Sequence, residues 1–404
     1  MVFSGVFSTA LVVVLLLAQG GPAEATQVQL FSPSVRVNGM GQAGVALPDE
    51  PAGYYNPSSA ALSSPAHTLQ SRFYLSEMPI FADASSTITY SYFAAQAATE
   101  RVFNRLSWKG PTRLRAAFYG YRTKLDSGPV AIPNETSTAI DTFFNAEVAN
   151  NIGISLALRS VVDLGIGATA RWISAEILGA EGSAKTYDLG LMVVVPVVDV
   201  VKRLTRWDFA RNHPLRPKLD VGLGVMWQNR GRAAITYIAR QGPLVELNLI
   251  PSSPLPATKR HGWSGSLGMD WSSDSLTLAL GRVTFSQEIS RRTYYPYEED
   301  AYVPTAERDN SGVEVSIMET VSIRRGTSDL LDDYIDLKTS GWTVKSDGLF
   351  KIIAHFLDSK SPSSERDALQ FLARHLSISW SRFADRGWSL LSDDRSHSFI
   401  GLSF

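Results

Sequence analysis

The chain has 404 residues, 19% of them charged, and a formal net charge of −1 at neutral pH, which gives no basic footprint for nucleic acid. It contains no Cys, so a disulfide scaffold and any Cys-bearing metal site are excluded. Hydrophobic residues make up 44% but mean hydropathy is only −0.03. Past the N-terminal segment no apolar run reaches the roughly eighteen residues of a membrane-crossing helix; the longest, Leu189 to Val201, is broken by Pro196 and Asp199.

The first expected element is a secretory signal. Ala10 to Ala18 reads ALVVVLLLA, too short to span a bilayer, and Ala23-Glu24-Ala25 supplies a small-x-small cleavage site. Residues 1–25 are therefore expected to be removed, although Met1 to Thr9 carry no Lys or Arg. With no Cys at the cleavage site the exported chain is not a lipoprotein.

Next comes NGMGQAGVALPDEPAGYYNP, Asn38 to Pro57, which contains Gly39-x-Gly41-x-x-Gly44. That is the spacing of a dinucleotide fingerprint, which needs an apolar strand before it and a helix starting near its third glycine. Here FSPSVRV precedes it, and Pro48, Pro51, Gly53 and Pro57 follow, so no cofactor loop is expected. Gly39, Gly41 and Gly44 instead suit a chain that turns at positive φ and runs close to a wall, and Asn56 before Pro57 suits a reversal toward the first strand. Turn residues at a rim would look the same.

From there to the C-terminus apolar residues recur at every second position, over segments long enough for a tilted membrane strand. The clearest is DLGIGATARWI, where Leu164, Ile166, Ala168, Ala170 and Trp172 share one face and Gly165, Gly167, Thr169 and Arg171 the other. Val221 to Gln228, Trp263 to Trp271 and Leu376 to Ser381 alternate likewise, and Leu276, Leu278 and Leu280 form one face against Thr277, Ala279 and Gly281. Weaker alternation runs through Leu69–Leu75, Ile88–Tyr92, Leu114–Tyr121, Ile152–Leu158, Tyr187–Val193, Val313–Ile317 and Val321–Ile323. About a dozen strands are readable. A sandwich strand alternates too, but sandwich strands are shorter, and several of these end on Trp or Tyr, which suit a membrane interface. If the outward face meets lipid, the sheet must close.

Long polar excursions are expected at Arg122–Thr142, Val197–Leu219, Arg240–Arg260, Gln287–Ser311, Thr327–Ser340 and Asp358–Asp367, with a possible helical turn at Asp367–His375. In one of them, TYYPYEEDAYVP, the residues Tyr294, Tyr295, Tyr297 and Tyr302 beside three acids suit either protein docking or an ordered surface loop. The chain stops on SFIGLSF, with Ile400, Leu402 and Phe404 on one face; an aromatic-ended strand is what an outer-membrane barrel presents to its insertion machinery.

Chemistry-bearing patterns are few. The six His lack metalloprotease spacing, and Gly262-Trp263-Ser264-Gly265 misses the nucleophile elbow, so no enzyme, cofactor or metal site is expected. Asp329, Asp332, Asp333 and Asp336 lack EF-hand spacing and read as a solvated acidic loop.

The segment GMGQAGVALPDEPAGYYNPSSAAL resembles the N-terminal region of the PorV/PorQ family within the FadL-like superfamily of outer-membrane barrels. Gly39, Met40, Gly41, Ala43, Gly44, Val45, Ala46, Asp49, Pro51, Asn56, Pro57 and Leu62 fall on its pattern, while Gln42 stands where glycine is frequent. TYDLGLMV, LDVGLGVMWQNRG, PLPATKRHGWSGSLGMDW and VSIRRGTSD continue the match in order. The resemblance implies an all-β, closed antiparallel transmembrane barrel of about fourteen strands in the outer membrane of a diderm bacterium. It divides the chain into the signal (1–25), a plug or hatch (26–66) built on Gly39, Met40, Gly41, Gly44, Asp49, Asn56 and Pro57, and the barrel (67–404). Outer-membrane lipid and the insertion machinery are the implied general partners. Type IX translocon and cargo follow from the PorV/PorQ branch, and a hydrophobic small-molecule ligand from the FadL-like alternative.

Overall fold

The computed structural model describes residues 34–50, 53–63, 68–79, 87–103, 112–133, 140–177, 180–205, 213–231, 234–239, 252–255, 257–272, 277–293, 305–330, 335–357, 376–386 and 395–403. The signal, the tyrosines at 294, 295, 297 and 302, Phe404, Asp332, Asp333, the 358–367 excursion and the 367–375 turn lie outside the described residues.

Two short helices come first, α1 (Val35–Gly39) and α2 (Ser59–Ser63). Strands follow: β1 (Thr68–Pro79), β2 (Thr87–Phe103), β3 (Thr112–Pro133), β4 (Ile140–Arg159), β5 (Asp163–Ile177), β6 (Ala180–Pro196) and β7 (Leu215–Arg230), with helix α3 (Val197–Thr205) between the last two. Short β8 (Ala234–Ala239) and β9 (Ser252–Pro254) precede β10 (Ala257–Ser272), β11 (Thr277–Thr293), β12 (Thr305–Ile317), β13 (Val321–Leu330) and β14 (Ile335–Lys345). Helix α4 (Asp347–Leu357) then leads to β15 (Ser377–Arg386) and β16 (Arg395–Ser403).

Every pairing is antiparallel. The ladder runs from β1 through β7, on to β10 and through β16, and β16 pairs back onto β1, with Phe73 opposite Leu402 and Leu75 opposite Ile400. β8 takes the place beside β6 where β7 has ended, pairing Ala180 with Ala239. The strands thus form a hydrogen-bonded ring with two ends. One end, called here the turn end, carries the tight connections Ser160–Val162 and Met318–Thr320, together with α3 and α4.

The two faces of the ring differ in the sense opposite to a water-soluble protein. Each ring strand exposes at least one large apolar side chain outward, among them Phe73, Phe93, Phe118, Ile152, Ile166, Leu189, Leu223, Leu267, Phe285, Val315, Ile323, Val344, Trp380 and Ile400. Buried residues of the other face include Gln96, Arg115, Thr169, Arg171, Asp188, Gln228, Glu288, Asn310, Glu314 and Arg324. A strand whose side chains alternate in direction separates these two sets without any further device.

Several expectations from the sequence are corrected. Strands continue into the supposed excursions: Ala131 pairs with Thr142 inside Arg122–Thr142, and Arg291 pairs with Glu307 inside Gln287–Ser311. Backbone pairing continues past the apolar band because cross-strand hydrogen bonds need no apolar face. Similarly β13 and β14 extend to Leu330 and Ile335 within Thr327–Ser340, where Asp329 faces Asp336, and Val197–Leu219 holds α3 and the start of β7. Tyr92, read with Ile88 as one apolar face, is 2% exposed and lies on the buried side beside outward Phe93. Of the Leu276, Leu278 and Leu280 face, Leu276 lies outside the described residues, and from Leu278 to Leu280 the alternation is interrupted because Met269 pairs with Gly281 and Asp270 with Ala279. This bulge makes Leu280 an extra residue and shifts the phase of the strand.

Candidate functional site

The described residues between 34 and 63 lie inside the ring, because they touch strands from β3 round to β15, which only an interior position allows. The segment begins with Ser34, whose side chain caps α1 by accepting from the Val37 amide at 3.2 Å. It then follows an irregular course through Gly41 (φ 64), Gln42 (φ 66) and Gly53 (φ 63). With so little regular structure of its own, its backbone groups need partners from the wall.

Those partners are specific. Glu288, fully buried, accepts the amides of Gly44 at 3.0 Å and Val45 at 2.9 Å, while Arg260 approaches its other oxygen at 3.3 Å. Asn56 Nδ2 donates to the carbonyls of Val45 (2.9 Å) and Leu191 (3.0 Å), joining one part of the segment to another and both to β6. Ser264 donates to the Ala46 carbonyl at 2.7 Å, which gives the near-elbow serine a structural partner. Thr339 accepts the Gly41 amide at 3.0 Å, and Ser155 donates to the Ser58 carbonyl at 3.0 Å.

The wall is thinned where the segment touches it. A Cβ on Gly224 would lie 2.1 Å from the Val45 carbonyl oxygen, one on Gly167 would lie 2.4 Å from the Pro57 backbone, and one on Gly190 would lie 2.0 Å from Asn56 Oδ1. Gly312 and Gly326 receive Met40 and Gly41 in the same way. The sequence-predicted residues Gly39, Met40, Gly41, Gly44, Asn56 and Pro57 are all brought to this interface. Asp49 belongs to a different group.

That group is ionic. Arg36 lies 2.7 Å from Asp49 and 2.9 Å from Glu314, and Glu314 also accepts from Arg324 at 2.6 Å. The cluster borders a cavity of about 310 Å³ whose other lining includes Glu50, Arg282, Ser316, Thr343 and Lys345. Most of these come from strand portions near the turn end, so the lumen on that side of the segment is polar. The Arg36 guanidinium beside Asp49, whose side chain is half exposed, holds its carboxyl down to about 2.

Toward the opposite end the inward wall changes character. Leu125, Ala149, Ile173, Ala175 and Ala184 form a buried apolar cluster with Ile235 and Leu255, which come from β8 and the residue after β9. Tyr92, Tyr119 and Tyr121 belong to the same cluster, and Tyr54 of the segment stacks 5.5 Å from Tyr121. Between this lining and the segment, Arg171 binds Asp188 at 2.6 Å and Asn151 at 2.8 Å, and Asp188 accepts the Asn229 amide at 2.8 Å.

Sequence reasoning missed Glu288, the Arg36–Glu314–Arg324 cluster and the wall glycines as partners of the segment. Only the inward phase of the alternation pointed toward them. Of the C-terminal residues, Ile400 is exposed on the outer face and Leu402 is half-buried. Among the described residues no cluster of metal-ligating side chains occurs.

No family model matches the chain, and no curated protein matches it. Solved structures similar to it include the toluene transporter TodX of Pseudomonas putida, at 11% identity and a TM-score of 0.41, covering 94% of this chain and 98% of that one. The toluene transporter TbuX of Ralstonia pickettii aligns at 11% identity and 0.38 (93% and 98%), and a FadL homologue of Pseudomonas aeruginosa at 10% and 0.35 (92% and 98%). At these values the likeness carries no argument about function.

Proposed function

We propose that the ring is a closed transmembrane barrel of fourteen strands in the outer membrane of a diderm bacterium, that residues 34–63 are its plug, and that it takes small hydrophobic compounds through its lumen. The encircling apolar belt supports the membrane setting: a monomer in water rarely exposes a contiguous apolar patch beyond a few hundred Å², and only a closed sheet spans lipid with every backbone group paired.

The observation that carries the substrate class is the inner lining between the plug and the end away from the tight turns. A water-filled pore presents polar side chains inward, whereas here Leu125, Ile173, Ile235, Leu255 and several tyrosines face inward together. The docking reading, with type IX translocon and cargo as partners, rests on tyrosines outside the described residues, and no specific contact favours it.

Binding of 1-aminoanthracene, a fluorescent apolar probe, to the purified protein in detergent tests this reading. The expected result is saturable binding to the wild type, weakened roughly tenfold or more by Ile173→Asp, since a carboxylate in the dry lining disfavours an apolar ligand. Equal binding to both proteins, or none to the wild type, would overturn it.

A further inference from the structure

Both longer helices lie at the turn end, and both expose apolar side chains there. In α3 the residues Val197, Val200, Val201 and Leu204 recur at helical spacing on one face, opposite Asp199, Lys202 and Arg203. No residue of α3 is buried, and Leu204 is 69% exposed. α4 reads DGLFKIIAHFL; Leu349 is 50% exposed, and Phe350, Ile352 and Ile353 are half-buried.

α4 is held at its start. Gly348 sits against the Met318 carbonyl and Thr320, Lys351 pairs with Glu319, and the Phe350 amide donates to the Ser346 carbonyl at 2.9 Å. This clamp places the helix at the β12–β13 turn, whose Ile317, Met318 and Val321 are exposed, as is Val344 where β14 ends. The apolar surface of α4 therefore continues the outer belt. α3 packs beside the start of β7, where Leu215 is exposed.

Around the ring the two helices stand apart: between α3, at the β6–β7 junction, and α4, clamped at the β12–β13 turn, lie four strands one way, β7 and β10 to β12, and ten the other.

We infer that α3 and α4 are interfacial helices seated in the phospholipid leaflet at the turn end, and that the pair fixes the depth and tilt of the barrel. Continuity with the belt names the occupant as lipid. The polar arc of α3, on which Asp199 and Lys202 are exposed, matches the headgroup layer of such a helix. A single helix would leave the barrel free to tilt about that contact, whereas a second one at a separate point of the rim opposes that rotation. The inference rests on the membrane reading proposed above, and its test separates the two.

Because the chain has no Cys, single-cysteine variants Leu204→Cys, Leu349→Cys and Ile166→Cys accept one nitroxide each. With the full chain in phosphatidylethanolamine–phosphatidylglycerol vesicles, accessibility to oxygen against a water-soluble nickel complex gives the depth of each label. The expected result is shallow lipid burial at 204 and 349, with 166 deeper. If 166 is in lipid but 204 and 349 meet the nickel complex as freely as a label in bulk water, the interfacial role falls and the barrel stands. If 166 is itself in water, the membrane reading falls and the interfacial role with it.

Discussion

Gly224→Ala tests whether the wall is thin in order to admit the segment. The added Cβ would lie 2.1 Å from the Val45 carbonyl oxygen and 2.7 Å from its carbon, whereas a relaxed carbon–oxygen contact needs about 3.3 Å. The segment has to retreat by roughly 1 Å. That movement also pulls the Val45 amide from the wall's Glu288 carboxylate, now at 2.9 Å. Overpacking of this kind costs ~1–3 kcal/mol, a factor of roughly 5–150 in the balance between seated and unseated states. The assay is hydrogen exchange followed by mass spectrometry on peptides covering 34–63, with heat-modifiable gel migration reporting that the ring is intact. Gly265→Ala is the control, since its nearest neighbour would be a Trp263 ring atom at 3.7 Å. Faster exchange in the segment with Gly224→Ala, and unchanged exchange with Gly265→Ala, is the expected outcome. Wild-type protection in Gly224→Ala would refute the reasoning, because the clash would then have been relieved without moving the segment.

Glu288→Gln should loosen the Gly44–Val45 turn by ~1.5–3 kcal/mol, since it replaces charge-assisted bonds at a buried site by neutral ones; amide exchange at those two residues reads the effect. Asn56→Leu leaves the Val45 and Leu191 carbonyls without this donor and should lower the midpoint of segment release in urea by ~1–3 kcal/mol equivalent, and an unchanged midpoint would argue that water replaces the amide. Asp49 has its carboxyl held down to about 2 in the folded state, so its contribution is fully present above the ordinary carboxylate value near 4 and is lost as pH falls through about 2. Protease cutting within 34–63, measured with pepsin between pH 4 and pH 2, should therefore rise over that window in the wild type and change less in Asp49→Asn.

The outer face of the sheet was legible because alternation is a local property: Leu164, Ile166 and Trp172 announce their shared direction within nine residues, and the structure exposes all three. The bulge opposite Met269 and Asp270 was not legible, since an extra residue is defined by its partner strand rather than by its own sequence. The same holds for the strand ends that continue as paired hairpins beyond the apolar band. In the segment, the glycines signalled a close approach but not to what; Gly224 and Val45 are far apart in sequence and meet only when the ring is formed. Gln42 adopts φ 66, a conformation that a residue with a side chain rarely favours, and nothing in its local sequence signalled it.

The two kinds of anchor divide the segment's constraints between wall and segment. Glu288, Asn56, Ser264, Thr339 and Ser155 bind backbone groups of Gly41, Gly44, Val45, Ala46 and Ser58, so the chemistry of those side chains is not read there. Arg36 is held through its side chain by Asp49 and Glu314, so at the cavity charge rather than size is what the wall recognises. A segment fixed only by backbone bonds has no group of its own that solvent conditions can weaken. One fixed only by ion pairs at a wet cavity would be screened by salt. With both, the portion from Gly39 to Ala46 is tied to the dry wall while the Arg36–Asp49 end faces water, and release of the segment is expected to begin at that wet end and travel toward Glu288.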